Sequence, residues 1–339
     1  MGQPIQNPLV SVILPVYNGA EFVGLAIESA LSQTYRHLEI IAIDDGSTDG
    51  TQAILNRYAT KDERVRVLPQ KNGGVARSRN RGIAESRGDL IAPLDADDLW
   101  EPTKISRQVQ RLLEAGERTG LVYSWWVWID HAGVVLDRSP RWMIEGVAFE
   151  RLLQINFTGN ASVPLFRRDC IEEVGGYNEG LAAADAGGCE DWELALRIAE
   201  RYDVAVVPAL LMGYRRHTGS MSTACDTMWR SQQQVVRSMQ ELRPELAARL
   251  LRRAEHQFGL YLSGLSFWSG NYLGAIRWGL RSDFRLPLWV APHGIRMLLR
   301  RYRRKADVQT MLPGVALDVQ GIPEPYIPYD RLQMVSSTR

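Results

Sequence analysis

The chain has 339 residues, of which 45% are hydrophobic and 23% are charged. This composition is typical of a folded chain with a sizeable core and excludes a wholly disordered one. The 40 Lys+Arg residues nearly balance the 39 Asp+Glu residues, so the net charge of +1 gives no reason to expect a nucleic-acid-binding protein.

Strands and helices alternate along the first third of the chain. Apolar runs predict strands at 9–16, 38–43, 65–68 and 90–94, and amphipathic segments predict helices at 20–33, 51–58 and 75–86. Such alternation requires crossover connections. It therefore predicts an α/β fold with a Rossmann-like, mainly parallel sheet and helices on both faces.

The pattern changes after a helix at 104–114. The middle part predicts a helix at 192–201 and strands at 120–129, 134–137, 161–166, 204–207 and 211–214. A boundary is expected near 223–229. Beyond it, Gly and Pro residues separate candidate helices at about 228–241, 245–268, 271–281 and 288–304.

Acidic residues follow two of the predicted strands, at Asp44–Asp45 and in the run LDADDLW at 94–100. Ligands of parallel sheets bind at the carboxyl ends of the strands, so both clusters would face one crevice. The three carboxylates of the second cluster repel one another unless a divalent cation or a solvated turn separates them. Such a crevice could hold a phosphate if Mg²⁺ or Mn²⁺ binds to both the carboxylates and the phosphate.

Several motifs occur in order: VSVILPVYNGAEFVGLAIESALSQTY, IIAIDDGSTDGT, QKNGGVARSRNRGI, GDLIAPLDADD, VGGYNEGL, CEDWELALRIA and YRRHTGSMS. From about Pro8 to Ser222 the chain resembles the GT-A glycosyltransferases of family 2, inverting enzymes that use nucleotide-diphospho-sugars. The resemblance implies a catalytic domain at 1–225, with a nucleotide-sugar half at about 1–100 and an acceptor half at about 101–225. A basic helical region would follow at 226–305, and an extended tail at 306–339.

The resemblance implies that the loop after the first strand holds the nucleotide base, here through Pro15, Tyr17 and Asn18. An aromatic ring such as that of Tyr17 is a common stacking partner of a base. Asp45, with Asp44 beside it, would accept a hydrogen bond from the ring N–H of uracil. UDP is therefore the first expectation for the nucleotide.

The resemblance also places Lys71, Asn72 and Arg77 against the nucleotide. Arg77 would neutralise the diphosphate or contact the base. The alternative is a solvated helix charge, which applies equally to its neighbours Arg79, Arg81 and Arg87.

Within the acidic run, the resemblance identifies the DxD motif. Asp95 would bond to the ribose, Asp97 would ligate the metal, and Asp98 would be a second ligand or a ribose contact. His217 matches a position that closes over the diphosphate or ligates the metal. The cofactor would be Mn²⁺ or Mg²⁺, which would stabilise the departing nucleoside diphosphate. Two further candidates for the diphosphate are Arg215 and Arg216.

Glu190 and Asp191 begin a predicted helix, where carboxylates also complement the helix dipole. The resemblance implies that Asp191 is the general base for the acceptor hydroxyl and that Glu190 orients the loop. Cys189 is interpreted as a small packing residue, because this chemistry needs no thiol.

Residues 229–305 contain 15 basic and four acidic residues, with a basic stretch RMLLRRYRRK near the end. Basic helices with aromatic residues can bind an anionic membrane surface, so residues 267–305 are a candidate for peripheral membrane contact. The alternative is that these helices pack on the catalytic domain or on a second subunit.

The expected location is the cytoplasm, with peripheral contact at the inner membrane face as a second expectation. Residues 1–8 lack the basic run and apolar core of a signal peptide, and no apolar run approaches 18 residues. Three widely separated cysteines form neither a disulfide framework nor a CxxC zinc site, which favours a reducing compartment.

The resemblance implies a metal-dependent inverting glycosyltransferase that moves a sugar from a nucleotide-diphospho-sugar to a carbohydrate or lipid-linked acceptor. Its product would enter polysaccharide, glycolipid or glycoprotein assembly. The alternatives are a sugar transferase that acts on polyprenyl phosphate and a catalytically inactive nucleotide-sugar-binding module. An NAD-dependent oxidoreductase is excluded because PVYNGAEF, not GxGxxG, follows the first strand.

Overall fold

The computed structural model describes residues 7–183, 186–217, 224–282 and 310–317. The strands are β1 Val10–Val16, β2 Leu38–Asp44, β3 Val65–Pro69, β4 Leu90–Pro93, β5 Leu99–Trp100, β6 Thr119–Ile129, β7 Val135–Arg138, β8 Leu165–Arg167 and β9 Asp203–Arg215. The helices are α1 Val23–Leu31, α2 Thr51–Lys61, α3 Val75–Glu85, α4 Lys104–Ala115, α5 Phe149–Gln154, α6 Arg168–Glu173, α7 Gly180–Ala183, α8 Glu190–Arg201, α9 Cys225–Leu242, α10 Ala248–Trp268 and α11 Tyr272–Ser282.

Most expected elements are present within a few residues of their predicted ends. One difference is β9, a single 13-residue strand where two short strands were predicted. Its Pro208 has no N–H to donate, but the strand continues past it through shifts in register with β6. A second difference is β8, which begins only at Leu165. The helix predicted at 288–304 lies outside the described residues.

The described strands form one mixed sheet in the order β3-β2-β1-β4-β8-β6-β9-β5, with β7 paired to β6. The expected parallel arrangement is confirmed for β3, β2, β1 and β4. The second half differs because short β8 pairs antiparallel with both β4 and β6. Strands β6 and β9 then pair parallel to each other.

The central strands are buried on both faces, which explains why their sequences do not alternate between polar and apolar residues. All seven residues of β1 and all seven of β2 are buried. Polar side chains are therefore confined mainly to the segments that follow the strand ends. Those segments, after β1, β2 and β4, lie at the same edge of the sheet because the three strands are parallel.

The described C-terminal helices pack on the α/β part of the chain. Val235 and Met239 of α9 and Leu250 of α10 belong to the same buried apolar cluster as the sheet residues. Phe258 of α10 stacks on Trp192 of α8 with ring centroids 6.1 Å apart. Among the described helices, none has the length and apolar character needed to cross a membrane.

A pair of helical glycines tests the packing of α3 on the sheet. A Cβ atom at Gly82 would lie 2.6 Å from Ile43 Cδ1 and 2.7 Å from Ile13 Cγ2, whereas one at Gly264 of α10 would meet no atom within 4 Å. We expect Gly82→Ala to lower the free energy of unfolding by about 1–3 kcal/mol through overpacking. The matched change Gly264→Ala should raise it by about 0.4–1 kcal/mol. Urea unfolding of both variants checks this, and equal effects would contradict the packing.

Candidate active site

Asp98 anchors the loop between β4 and β5 on the side that faces the protein interior. Its side chain is completely buried. One carboxylate oxygen accepts hydrogen bonds from Asn160 Nδ2 and Ser162 Oγ, both at 2.6 Å, and the other accepts from the backbone N–H of Arg215 at 2.9 Å. Burial raises the pKa of Asp98 well above its ordinary value, and the charges of nearby carboxylates raise it further. This placement does not fit the expected contact of Asp98 with ribose or metal, because protein donors surround its oxygens.

The other two aspartates of the loop are accessible. The side chains of Asp95 and Asp97 are each 28% exposed. The Ser162 hydroxyl accepts from the backbone N–H of Asp95 at 2.9 Å. Asp97 Oδ2 lies 2.9 Å from Nε2 of His217, which is 120 residues later in the chain. The fold thus brings together the two residues that the sequence assigned to the metal.

The Asp97–His217 pair fits a divalent cation that is shared with a substrate. Carboxylate oxygen and imidazole nitrogen are both ligands of such ions. Across the described ranges, no group of three or more His, Cys, Asp or Glu residues could hold a metal by itself. A cation here would complete its coordination with diphosphate oxygens and water, as Mg²⁺ commonly does.

Arg79 of α3 is a buried cation paired with Asp95. Its Nη2 donates to Asp95 Oδ1 at 2.6 Å, and its guanidinium lies over the Tyr177 ring, 5.2 Å from the centroid. Burial lowers the pKa of Arg79, but interactions with Asp95, Tyr177 and Asp191 together raise it above its ordinary value. Arg79 therefore stays charged, and its charge acts on Asp95 in the loop after β4 and on Asp191 at the start of α8.

The sequence resemblance predicts a nucleotide contact for Arg77 and none for Arg79. Arg77 is exposed, and its side chain lies so close to Gly73 that a Cβ there would be 2.5 Å from its Cδ. The sequence does contain a signal for Arg79. It shares a helix face with buried Ala76 and Ile83, at spacings of three and four residues.

Asp191 lies in the first turn of α8 and is half-buried. Its Oδ1 accepts from the backbone N–H of Trp192 at 2.7 Å. Burial raises the pKa of Asp191, the charge of Arg79 lowers it, and the charges of Glu190 and Asp95 raise it, which leaves it at about 7. A carboxylate with this pKa can accept a proton near neutral pH.

Glu190 is buried beside Asp191 and has a different environment. Both of its carboxylate oxygens accept from the backbone N–H of Gly188, at 3.0 and 2.9 Å. Gly188 has φ 107°, a conformation that L-residues rarely adopt. Glu190 is thus bonded to the loop before α8 and stabilises this turn, the kind of contact expected of a loop-orienting residue.

Asp45 is buried under the loop that joins β3 to α3. Its Oδ1 accepts from Gln70 Nε2 at 2.7 Å and from the Gly73 N–H at 2.9 Å, and its Oδ2 accepts from the Gly74 N–H at 2.8 Å. Asp44 Oδ1 accepts from the Ser47 N–H at 2.9 Å. Both carboxylates therefore shape the loops around the predicted nucleotide site. Asp45 can accept a hydrogen bond from a ligand only through the lone pairs that its three bonds to the protein leave free.

The remaining nucleotide-side residues lie at the same sheet edge. Tyr17 is 54% exposed at the end of β1. Asn18 has φ 50°, and its side-chain oxygen accepts from the Thr48 N–H at 2.8 Å, which ties the loops after β1 and β2 together. Three further candidates are buried Pro15 and exposed Lys71 and Asn72.

Arg215 and Arg216 differ from the expected diphosphate partners. The Arg215 guanidinium is buried and donates to the backbone oxygens of Asp97, Asp130 and His131, at 2.7 to 2.9 Å. Burial lowers the pKa of Arg216, whose guanidinium lies 4.6 Å from the Trp128 ring centroid and 5.6 Å from that of Trp268. Both arginines thus hold the end of β9, which leads into His217.

Comparison with known proteins identifies the family. The model of glycosyl transferase family 2 matches residues 11–173, and this segment of the chain belongs to that family. An uncharacterized glycosyltransferase of Rickettsia felis is 30% identical over 247 residues, which are 67% of this chain and 38% of that protein. A putative teichuronic acid biosynthesis glycosyltransferase of Bacillus subtilis, TuaG, is 41% identical over 109 residues, which are 32% of this chain and 43% of TuaG. The chain covers less than half the length of either relative.

Two solved structures share the fold. TarS residues 1–349 of S. aureus, in complex with UDP-GlcNAc, match with a TM-score of 0.57 at 14% identity, over 93% of this chain and 100% of that one. The mannosyltransferase PcManGT from Pyrobaculum calidifontis, in complex with GDP-Man and Mn²⁺, matches with a TM-score of 0.57 at 19% identity, over 88% and 83%. The fold is therefore the GT-A fold that the sequence motifs predicted.

The bonds to Asp98 can be tested through stability. An amide in place of this carboxylate would turn its NH₂ group towards a donor, whichever way the amide faces. We expect Asp98→Asn to lower the free energy of unfolding by about 1–3 kcal/mol. The matched change Asp226→Asn, at an exposed ion pair with Arg277, should cost less than about 1 kcal/mol. Urea unfolding measures both, and equal stabilities would contradict the anchoring role of Asp98.

Proposed function

We propose that this protein is a metal-dependent inverting glycosyltransferase that moves a sugar from a nucleotide-diphospho-sugar to an acceptor hydroxyl. One observation carries the proposal. The buried Arg79 pairs with Asp95 of the DxD loop, and its charge also acts on Asp191, whose pKa is about 7. One buried cation thus influences both the loop that would hold the leaving group and a group suited to be a general base.

The donor would lie along the edge formed by the loops after β1, β2 and β4. Tyr17 would stack on the base, and the exposed side chains of Lys71, Asn72 and Arg77 would contact the nucleotide. Asp95 would bond to the ribose. These roles come from the family resemblance, and the common sheet edge of the three loops supports them.

Asp97 and His217 would hold Mn²⁺ or Mg²⁺ together with the diphosphate. The ion would supply Lewis-acid stabilisation of the negative charge on the departing nucleoside diphosphate. Asp98 would act indirectly, by keeping the loop in the conformation that directs Asp97 towards His217.

Asp191 would take the proton of the acceptor hydroxyl as its oxygen attacks the anomeric carbon. The bond to the diphosphate oxygen breaks on the opposite face, so the configuration at that carbon is inverted. Arg79 keeps the pKa of Asp191 lower than burial alone would set it. Without this cation, the pKa of Asp191 would be higher, and less of it would be deprotonated at neutral pH.

A UDP-sugar remains the first donor to test. The remaining acceptor capacity of Asp45 suits a ring N–H, and TarS binds UDP-GlcNAc. PcManGT binds GDP-Man with Mn²⁺, so GDP is the second nucleotide to test.

The acceptor would be a carbohydrate or a lipid-linked sugar in polysaccharide, glycolipid or glycoprotein assembly. The resemblance to TuaG supports a polysaccharide. Polyprenyl phosphate is the alternative acceptor, and an inactive nucleotide-sugar-binding module is the alternative to an enzyme. The proposed location is the cytoplasm. Of residues 267–305, for which membrane contact is expected, 283–305 lie outside the described residues, and α11 lies within them.

Calorimetric titration of UDP and GDP, each with and without Mn²⁺, tests the donor site. We expect Mn²⁺ to strengthen UDP binding, because Asp97 and His217 would hold the ion and its charge would offset that of the diphosphate. Asp97→Ala should abolish this strengthening, and the exposed, remote control Asp226→Ala should retain it. Binding of GDP alone would contradict the role of Asp45, and no metal-dependent binding of either nucleotide would contradict the metal site.

The pKa of Asp191 predicts the pH dependence of the reaction. A general base acts in its deprotonated form, so kcat/KM should fall about tenfold for each pH unit below 7 and level off above it. Asp191→Asn should lower kcat by about 10²–10⁴-fold at the plateau. Rates of nucleotide release measured between pH 5 and 9 check both expectations. A flat profile in the wild-type protein would contradict the assignment of the base.

A further inference from the structure

Helix α11 carries an exposed apolar stripe formed by Tyr272, Leu273, Ile276 and Leu280. These side chains are 52%, 82%, 53% and 46% exposed within the part of the chain that the structure describes. At 3.6 residues per turn, the four positions lie within about 100° of one another around the helix. They form one continuous strip along the length of α11.

Another face of α11 is fixed against the rest of the protein. Ala275, Trp278 and Gly279 are buried, and Trp278 packs with Met228 and Leu262 of the neighbouring helices. The backbone oxygens of α11 also accept hydrogen bonds from α10 side chains, as in the 2.7 Å bond from Ser263 Oγ to Ala275 O. The helix therefore cannot turn its apolar stripe inward without breaking this packing.

Positive charge borders the stripe. Arg277 and Arg281 follow it on the helix surface, between the apolar strip and the buried face. Arg277 pairs with Asp226 at 2.9 Å, and Arg281 lies over the Trp229 ring, 4.6 Å from its centroid. From 271 to 305 the sequence contains nine basic residues and one acidic residue, Asp283.

We propose that the stripe on α11 binds the surface of an anionic lipid bilayer, with the helix lying in the interface. An apolar strip bordered by arginines has the chemistry of helices that insert at the boundary of headgroups and acyl chains. The excess of positive charge after the stripe complements anionic headgroups. The 11 residues of α11 are too few to cross a bilayer, so the contact is peripheral.

This binding would place the glycosyltransferase segment beside lipid-linked acceptors, but it does not depend on the chemistry of that segment. A protein with no transferase activity would still bind vesicles if the proposal is correct. Loss of vesicle binding would leave the donor site unaffected. The two proposals can therefore fail separately.

Vesicle co-sedimentation of the full chain tests the proposal. The probes are vesicles of phosphatidylcholine alone and vesicles in which part of it is replaced by phosphatidylglycerol. We expect the protein to sediment with the anionic vesicles and to remain in solution with the neutral ones. Raising the salt concentration should weaken the binding because it screens the arginine charges.

The double variant Leu273→Ser, Ile276→Ser should bind the anionic vesicles at least about tenfold more weakly, because it removes two of the four inserted side chains. The matched control is Leu25→Ser, Leu113→Ser, at leucines of α1 and α4 that are 37% and 40% exposed. It should bind like the wild-type chain. Circular dichroism and thermal unfolding check that both double variants remain folded.

Three results would overturn the proposal. The wild-type chain could fail to sediment with either vesicle, it could sediment equally with both, or the double variant could bind as well as the wild type. A second copy of the chain is the other occupant of the stripe to test by analytical ultracentrifugation. A wild-type dimer that the double variant converts to a monomer would assign the stripe to self-association instead of the bilayer.

Discussion

The candidate site depends on one fully buried carboxylate. Asp98 accepts hydrogen bonds from Asn160, Ser162 and the backbone of Arg215, so two distant segments converge on one loop. Burying a carboxylate is costly unless donors surround it, and here they do. Because this residue holds the loop from behind, its neighbours Asp95 and Asp97 are directed towards the crevice. The arrangement separates two tasks, since one aspartate fixes the loop and two remain accessible.

A second buried charge balances the site. Arg79 forms an ion pair with Asp95 and lies within the electrostatic influence of Asp191. Burying a cation without nearby carboxylates costs free energy, and so does burying carboxylates without a cation. The pairing of Arg79 with Asp95 reduces both costs. It also couples the two ends of the proposed reaction, because the loop for the leaving group and the general base share one counter-charge.

Much of the fold could be predicted from sequence, because buried parallel strands and amphipathic helices leave strong local patterns. The apolar runs of β1, β2 and β4 are examples. The reversal of direction at β8 could not be predicted, because a three-residue strand has no readable periodicity. The burial of a single residue can be equally hard to predict from sequence, as Lys104 shows. It begins a helix and would be expected at the surface, but it is fully buried over the Trp100 ring at 4.3 Å.

The motifs located the acidic loop, the residues at the start of α8 and the pairing of Asp97 with His217. They assigned both Asp97 and Asp98 to ligand contacts and did not predict the burial of Asp98, because adjacent aspartates look alike until the fold buries one of them. Ser162 and Asn160 also gave no signal. Their role arises from a contact with a loop more than 60 residues away, and local sequence does not encode such contacts.

A crystal structure with UDP and Mn²⁺ would test the central claim most directly, because the anomalous signal of Mn²⁺ locates the ion independently of the protein atoms. We expect the ion to bind Asp97, His217 and the diphosphate, while Asp98 keeps its bonds to Asn160, Ser162 and Arg215. The claim would be contradicted if Asp98 left these partners to ligate the ion, or if the ion bound elsewhere.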